Sequence, residues 1–234
     1  FDGKEFVEIR VKGQDFDHHI MDLEYYRDTV FFASQYKGFY AYVPKSHKYI
    51  NFNYSRSGGG DALAFINVGN KKYGISGRKI WSINKKSTQA LHTFDKYIEL
   101  HHYQVVKDWV VLFTTQGNYV LRGNKVEPLH KVLAMPENAV NDFRFGHVLR
   151  NKLVLCNETG TEWLEIGISS KGGLVEQKRF SRELLLSENE VITSYFLDEG
   201  GQKVIALTNE GDVYKVVDCQ LRIVPHNYTG SIEA

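Results

Sequence analysis

One pairing recurs along this chain and limits what it can fold into. A glycine is followed two to four residues later by Tyr or Trp at Gly38/Tyr40, Gly77/Trp81, Gly117/Tyr119, Gly160/Trp163 and Gly211/Tyr214. Successive aromatics lie 41, 38, 44 and 51 residues apart. The clearest copy, Ala206 to Tyr214, reads as a strand, a tight turn bearing Asn209 and Gly211, and a second strand opening on the aromatic. Around each pair the apolar runs break into four strand-length pieces, giving four strands per period of about forty residues. That is the pattern of a β-propeller, because a four-stranded blade buries both its faces only by stacking on neighbours. The glycine is expected to supply the positive φ of a hairpin turn, and the aromatic to fill space between blades. A sandwich or barrel with coincidental spacing is the competing reading; the joint recurrence in all five units argues against it.

The expected architecture is therefore all-β: about five four-stranded antiparallel blades in a single propeller domain over 1–234. The blades fall near 20–54, 61–95, 101–132, 139–181 and 191–226, with 1–12 supplying a closing or extra strand through Phe6 to Val11. The last unit already has four strands through Leu221 to Val224, which leaves that strand no vacancy. Either it replaces that last strand to close the ring or the chain is a piece of a longer propeller, the latter being the preferred reading, and the opening on Phe1 rather than Met suits a processed or trimmed product. Only Arg182 to Glu190 has the composition of a short helical turn.

Composition agrees with strands and removes several functions. Aromatics make up 13%, with 14 Tyr and 14 Phe, side chains that pack well on a pleated surface. Lys and Arg total 29 against 28 Asp and Glu, so the chain lacks the basic excess by which a general nucleic-acid binder neutralises phosphates. The longest apolar runs, such as Trp109 to Phe113, are of strand length and too short for a membrane-spanning helix. Cys156 and Cys219 flank strand-like runs and read as small buried hydrophobes, not a disulfide framework. Sequons at Asn53, Asn157 and Asn227 occur at about chance frequency, and no leader remains from which to read a compartment. The balance leans to an intracellular location and leaves a secreted or periplasmic one open.

Three copies of the repeat share a fuller phrase: Leu112 to Tyr119, Leu155 to Trp163 and Ala206 to Tyr214. They resemble the apolar-Leu-Thr-x-x-Gly-x-Val-Tyr segment of the regulator-of-chromosome-condensation repeats, and Gly123-Asn124 lies close to the Gly-x-Asn that follows there. The resemblance implies a propeller that presents loops to protein partners. The Gly-Gln-Leu-Gly tetrad of that family is absent, and its propellers usually have seven blades, so nucleotide-exchange activity does not carry over. The first unit differs: Phe1 to Phe6 and Gly38 to Tyr42 resemble the propeller repeats in sensor domains of bacterial two-component regulators.

Catalytic chemistry finds little support in the residues. Asp22 and Asp142 fall in expected innermost strands, where a glycoside-hydrolysing propeller would place its carboxylate pair. No local motif accompanies them, and structural or solvated roles are the simpler reading. His18-His19 and His101-His102 are adjacent pairs whose members face opposite sides of a strand, an arrangement that does not chelate one metal. No Gly-x-Ser-x-Gly elbow occurs. The Ser55 to Gly60 loop leads into a strand, not a helix N-terminus, and reads as an inter-blade loop instead of a phosphate cradle. The segment Cys156 to Trp163 departs from the sialidase Asp-box at three positions and is read as turn chemistry. Lys71, Lys72, Arg78, Lys79, Lys85 and Lys86 form the densest basic cluster, expected to be a solvated edge and alternatively a dock for an acidic partner.

The reading is a non-catalytic, WD40-like binding module, a scaffold or recognition domain for a protein partner and a possible subunit of a larger assembly. No cofactor or metal is called for. The candidate surface comprises Tyr36, Arg78, Gln116, Glu158 and Glu210 in the turns between second and third strands, with His18 and Arg56 in inter-blade loops. A glycan-binding or glycoside-hydrolysing propeller, or an extracytoplasmic ligand-sensing one, is the alternative.

Overall fold

In the computed structural model the described residues are 19–52, 54, 60–84, 87–149, 152–181, 186–187, 190–197, 204–217 and 220–223. They form five four-stranded antiparallel sheets, each a meander in chain order. Blade 1 holds β1 (Ile20–Tyr26), β2 (Thr29–Ser34), β3 (Gly38–Val43) and β4 (Lys48–Asn51); blade 2 holds β5 (Ala62–Val68), β6 (Lys71–Ser76), β7 (Lys79–Asn84) and β8 (Ser87–Thr93). Blade 3 holds β9 (Leu100–Val106), β10 (Trp109–Thr114), β11 (Gly117–Arg122) and β12 (Lys125–Pro128). Blade 4 holds β13 (Phe143–Leu149), β14 (Lys152–Asn157), β15 (Glu162–Ile168) and β16 (Leu174–Ser181); blade 5 holds β17 (Ile192–Leu197), β18 (Val204–Thr208), β19 (Val213–Val217) and β20 (Gln220–Ile223). These are the blades of a β-propeller. The chain divides into two compact units, Phe1–Ile98 with blades 1 and 2, and Glu99–Ala234 with blades 3 to 5.

Within each unit the blades stack through apolar rows set by the two-residue period of a strand. In the first, Phe31, Ala33, Phe39 and Ala41 of blade 1 pack on Phe65, Trp81 and Ile83 of blade 2. Phe31 stacks on Phe65 at 4.8 Å between ring centroids, and Phe39 meets the same ring edge-on at 6.1 Å. In the second, Val111, Phe113 and Val120 pack on Leu153, Leu155, Leu164 and Ile166, while the other side of blade 4 (Phe145, Val154, Cys156, Trp163) packs on Ile192, Ala206 and Tyr214. Cys156 is a buried free thiol among these hydrophobes.

The structure corrects the sequence reading at several places. Strand β13 begins at Phe143, three residues later than the expected Val140, because 137–139 form a single 3-10 turn. Asp142 consequently sits in the turn before the strand and not within it. The expected last strand of blade 3 is cut at Pro128 by a short helix, α1 (Leu129–Val132), whose Leu129 is fully buried in the blade 3–blade 4 core. Gly77 does not share the positive φ of Gly38, Gly117, Gly160 and Gly211. It is small for another reason: a Cβ there would lie 2.3 Å from the Tyr97 ring. Trp163 pairs with Cys156 in register, the row that faces blade 5, whereas Trp81 pairs with Gly74 in the row facing the preceding blade. The Phe6 to Val11 strand, most of Arg182 to Glu190, Cys219, Asn53 and Asn227 lie outside the described residues.

Gly74 marks the tightest approach between blades 1 and 2, since an added Cβ would meet the Phe39 ring at 2.5 Å. Gly74→Ala is expected to lower unfolding free energy by about 2 kcal/mol through overpacking. Combining it with Phe39→Leu should recover part of that loss in a double-mutant cycle measured by urea unfolding.

Candidate functional site

In each blade the turn joining second and third strands lies at the same end as the start of the innermost strand. The register shows it: Ile20 pairs Ser34, Ala62 pairs Ser76, Leu100 pairs Thr114, Phe143 pairs Asn157 and Ile192 pairs Thr208. At this turn end every innermost strand also slips register by one residue, at Met21, Leu63, His101, Arg144 and Thr193. Such bulges re-aim a side chain and are frequent at barrel rims and next to binding sites. The repetition of one bulge at one position in five blades is a property of the repeat, and the glycine–aromatic pairing in the sequence does not reveal it.

Backbone bonds make this end rigid. Gln35 N donates to His19 O (3.0 Å), Gly77 N to Asp61 O (2.9 Å) and Asn209 N to Val191 O (3.1 Å), tying each turn to the start of its own innermost strand. Two further bonds reach the next blade: Ala62 N to Gln35 O (3.2 Å) and Ile192 N to Glu158 O (2.8 Å). The repeated aromatic adds a lock. Tyr40 Oη donates to Lys37 O (3.3 Å), Trp81 Nε1 to Ser76 Oγ (3.0 Å), Tyr119 Oη to Gln116 O (3.5 Å) and Trp163 Nε1 to Gly160 O (2.7 Å). Each of these aromatics fastens its own turn with its polar tip, and Trp81 and Trp163 also pack between blades with their rings.

The candidate residues fall on this frame as follows. In the first unit Tyr36, 40% exposed, and the exposed Arg78 stand in the turns of blades 1 and 2. In the second, Gln116 is half-buried and its backbone N–H donates to Thr114 Oγ1 (3.2 Å). Glu158 pairs with Arg144 (Nε to Oε1, 3.3 Å), and Glu210 is exposed at the blade 5 turn. His18 and Arg56 lie outside the described residues. The basic cluster splits: Arg78 and Lys79 belong to the turn end, whereas Lys71 and Lys72 belong to the opposite, hairpin end; Lys85 and Lys86 are not described.

Asn118, unremarked in the sequence, is a buried organiser of the second unit. Its Nδ2 donates to Val140 O (2.6 Å) and Phe143 O (2.9 Å), holding the start of blade 4 against the blade 3 turn. Beside it the bulged residues meet: Arg144 Nη1 also donates to Asn141 O (2.6 Å), and the His101 imidazole is held below its usual range by burial, then by the Arg144 charge, against Glu158 and Glu99.

The innermost strands carry polar side chains that bond across to the next innermost strand. Asp22 accepts from Phe65 N (3.0 Å), and Glu24 from Asn67 N (3.0 Å) and Asn67 Nδ2 (2.7 Å). His102 occupies in blade 3 the position of Asp22 in blade 1, and its Nε2 lies 2.9 Å from Gly146 O. Burial raises the Glu24 pKa, outweighing the Asn67 bonds that lower it. Asp22 is thus a cross-strand bonding group, and Asp142 is exposed in a turn. Among the described residues no three His, Cys, Asp or Glu side chains come together as a metal site would need.

No family model matches the sequence, and no curated protein does. Solved structures match the fold. The extracellular domain of a putative one-component system from B. thetaiotaomicron aligns with a TM-score of 0.62 at 14% identity, over 97% of this chain and 30% of that one. A chain of the S. cerevisiae assembly of Dbp5 with Nup159, Gle1, IP6 and ADP gives 0.56 at 11%, over 88% and 60%. The Cps50 (Swd1) β-propeller domain of Myceliophteria thermophila gives 0.57 at 9%, over 88% and 72%. The chain thus spans less than two thirds of the first two. A putative 6-phosphogluconolactonase from Bacteroides fragilis shares the fold as well (0.56, 14%, over 90% and 71%), so the fold by itself does not decide between binding and chemistry.

Two outcomes follow from these contacts. His147, 6% exposed, has its pKa lowered to about 4 by burial and by His102. The unfolded chain takes up that proton first, so stability is full above pH 6.5 and declines as pH falls toward 4, by roughly 2 kcal/mol at pH 5. Urea unfolding at pH 7 and pH 5 measures this, and His147→Gln should reduce the difference by about that amount, leaving the smaller share of His92, His101 and His102, whose pKa values burial also lowers. Trp163→Phe removes the bond to Gly160 and leaves a void beside Tyr214, an expected loss of about 2 kcal/mol in the same assay.

Proposed function

We propose that the chain is a non-catalytic binding module that engages a protein partner through the turn ends of its blades. The observation that carries this reading is the coincidence, in every blade, of an inter-strand turn and a bulge in the innermost strand at one end, joined in blades 1 to 4 by an aromatic fastened to its own turn. Interfaces draw on rigidly held aromatic and Arg side chains, because little conformational entropy is then lost on binding. Tyr36 and Arg78 supply those residue types on the turns of the first unit, and Glu158 and Glu210 give the second unit an acidic rim. The reading treats Asp22 as structural, which leaves the hydrolase alternative without its inward carboxylate pair. A propeller within an assembly of several proteins is a precedent for the role.

The test is capture of proteins from the native source on the immobilised chain, followed by affinity measurement with the protein recovered. Tyr36→Ala with Arg78→Glu, or Glu158→Ala with Glu210→Lys, is expected to weaken that affinity at least about tenfold, the scale of a hot-spot truncation. Unchanged affinity in both variants would place the binding surface elsewhere.

A further inference from the structure

The hairpin end of the first unit gathers five cations, of which one is ion-paired among the described residues. There the β1–β2, β3–β4 and β5–β6 connections turn, bringing Arg27, Lys45, Lys48, Lys71 and Lys72 to one end of two stacked blades. All are exposed except the half-buried Lys72. Among the described residues only Lys45 is ion-paired, with Asp28 at 2.7 Å. Arg27 donates Nη1 to a neutral amide, Asn70 Oδ1 (3.0 Å), and Lys72 Nζ stands over the Phe31 ring at 5.7 Å. Glu24, the nearest carboxylate along β1, is taken up by Asn67.

The second unit shows the contrasting arrangement. Three of its cations at the corresponding positions are neutralised, Arg122 by Asp108 (2.7 Å), Lys125 by Glu127 (2.8 Å) and Lys152 by Glu165, while Lys107 and Lys171 have no ion pair among the described residues. The sequence carries the same asymmetry, with fifteen Lys and Arg against ten Asp and Glu in 1–98, and fourteen against eighteen in 99–234. A net charge of +1 conceals this separation.

The basic end is also held firm. Tyr26 Oη donates to Gly69 O (2.7 Å), and with the Arg27–Asn70 bond it fastens the β1–β2 hairpin to the β5–β6 hairpin. Arg27 and Asp28 both take positive φ (49° and 58°), as a tight two-residue hairpin turn requires. Leading into this end along β1 are Leu23 and Tyr25, 63% and 64% exposed on one side of the strand. Tyr25 Oη donates to Asp28 Oδ1 (3.0 Å), the carboxylate that also holds Lys45, so the apolar strip and the cations are continuous.

We propose that this hairpin end docks an acidic protein segment in which carboxylates are interspersed with apolar side chains. Uncompensated cations on a fixed frame favour a polyanion, and the adjoining Leu23 and Tyr25 favour one with apolar side chains, which a phosphate backbone lacks. The surface is separate from the turn end, so failure of either proposal leaves the other standing.

The probe is a short fluorescein-labelled oligoglutamate peptide carrying leucines, titrated with the whole chain at low salt and followed by anisotropy. Binding is expected that weakens as salt rises and falls at least roughly tenfold in Arg27→Glu/Lys71→Glu/Lys72→Glu. Lys48→Glu/Lys71→Glu, in which neither side chain bonds a neighbour among the described residues, gives the same direction if the triple variant folds poorly. Lys131→Glu/Lys171→Glu in the second unit should leave binding unchanged, and Leu23→Ser should weaken it. Absence of binding, or equal loss in the second-unit variant, overturns the proposal. So does tighter binding of a single-stranded oligonucleotide of matched charge, which would make this a phosphate-binding surface. Self-association of the chain that the triple variant abolishes would name a second copy as the occupant and also overturn it.

Discussion

A four-stranded antiparallel sheet exposes two apolar faces, and this chain answers that constraint by stacking blades within each unit. Everything else follows from how closely adjacent innermost strands approach. Their backbones cannot form a ladder with each other, so side chains take over: Asp22 bonds Phe65 N, Glu24 bonds the backbone and side chain of Asn67, and His102 lies against Gly146 O. The same logic recurs in apolar form where Phe39 presses on Gly74 and Phe113 on Gly146. Asp22, Glu24 and His102, side chains able to do chemistry, are in these strands used to join blades.

Much of the fold was legible because it is repetitive. The spacing of Gly38/Tyr40 through Gly211/Tyr214 located all five sheets, and four strands per unit were visible as apolar runs. What the repeat could not convey is where the units differ. Trp163 looks equivalent to Trp81 in sequence, yet the longer Asn157 to Thr161 turn, fastened by Asn157 Oδ1 to the Thr161 and Glu162 amides, puts it in the row facing the other way. Gly77 matches its counterparts in position but is required by the Tyr97 ring, a contact from a loop twenty residues later. The bulge at Met21, Leu63, His101, Arg144 and Thr193 breaks a two-residue alternation by a single step, a change lost among irregular strand beginnings.

The candidate surface was legible only as topology. Turns between second and third strands were placed correctly, so Tyr36, Arg78, Gln116, Glu158 and Glu210 stand where expected. Which of them is available was not readable: Glu158 is engaged by Arg144, and Gln116 is half-buried. Nor does residue counting along the chain show that Lys71 and Arg78, close in sequence, lie at opposite ends of β6. Strand length separates them, and that separation turns one expected basic edge into two surfaces with different neighbours.

Asp22 and Glu24 in the innermost strands hold blades 1 and 2 together, and on the proposed reading they take no part in catalysis. Asp22→Ala tests this most directly, by urea unfolding alongside a hydrolysis screen on a glycan panel. The account predicts a loss of about 1–3 kcal/mol in stability, the cost of stranding the Phe65 amide, with no activity in either protein. Unchanged stability, together with a hydrolytic activity in the parent chain that the substitution abolishes, would contradict it.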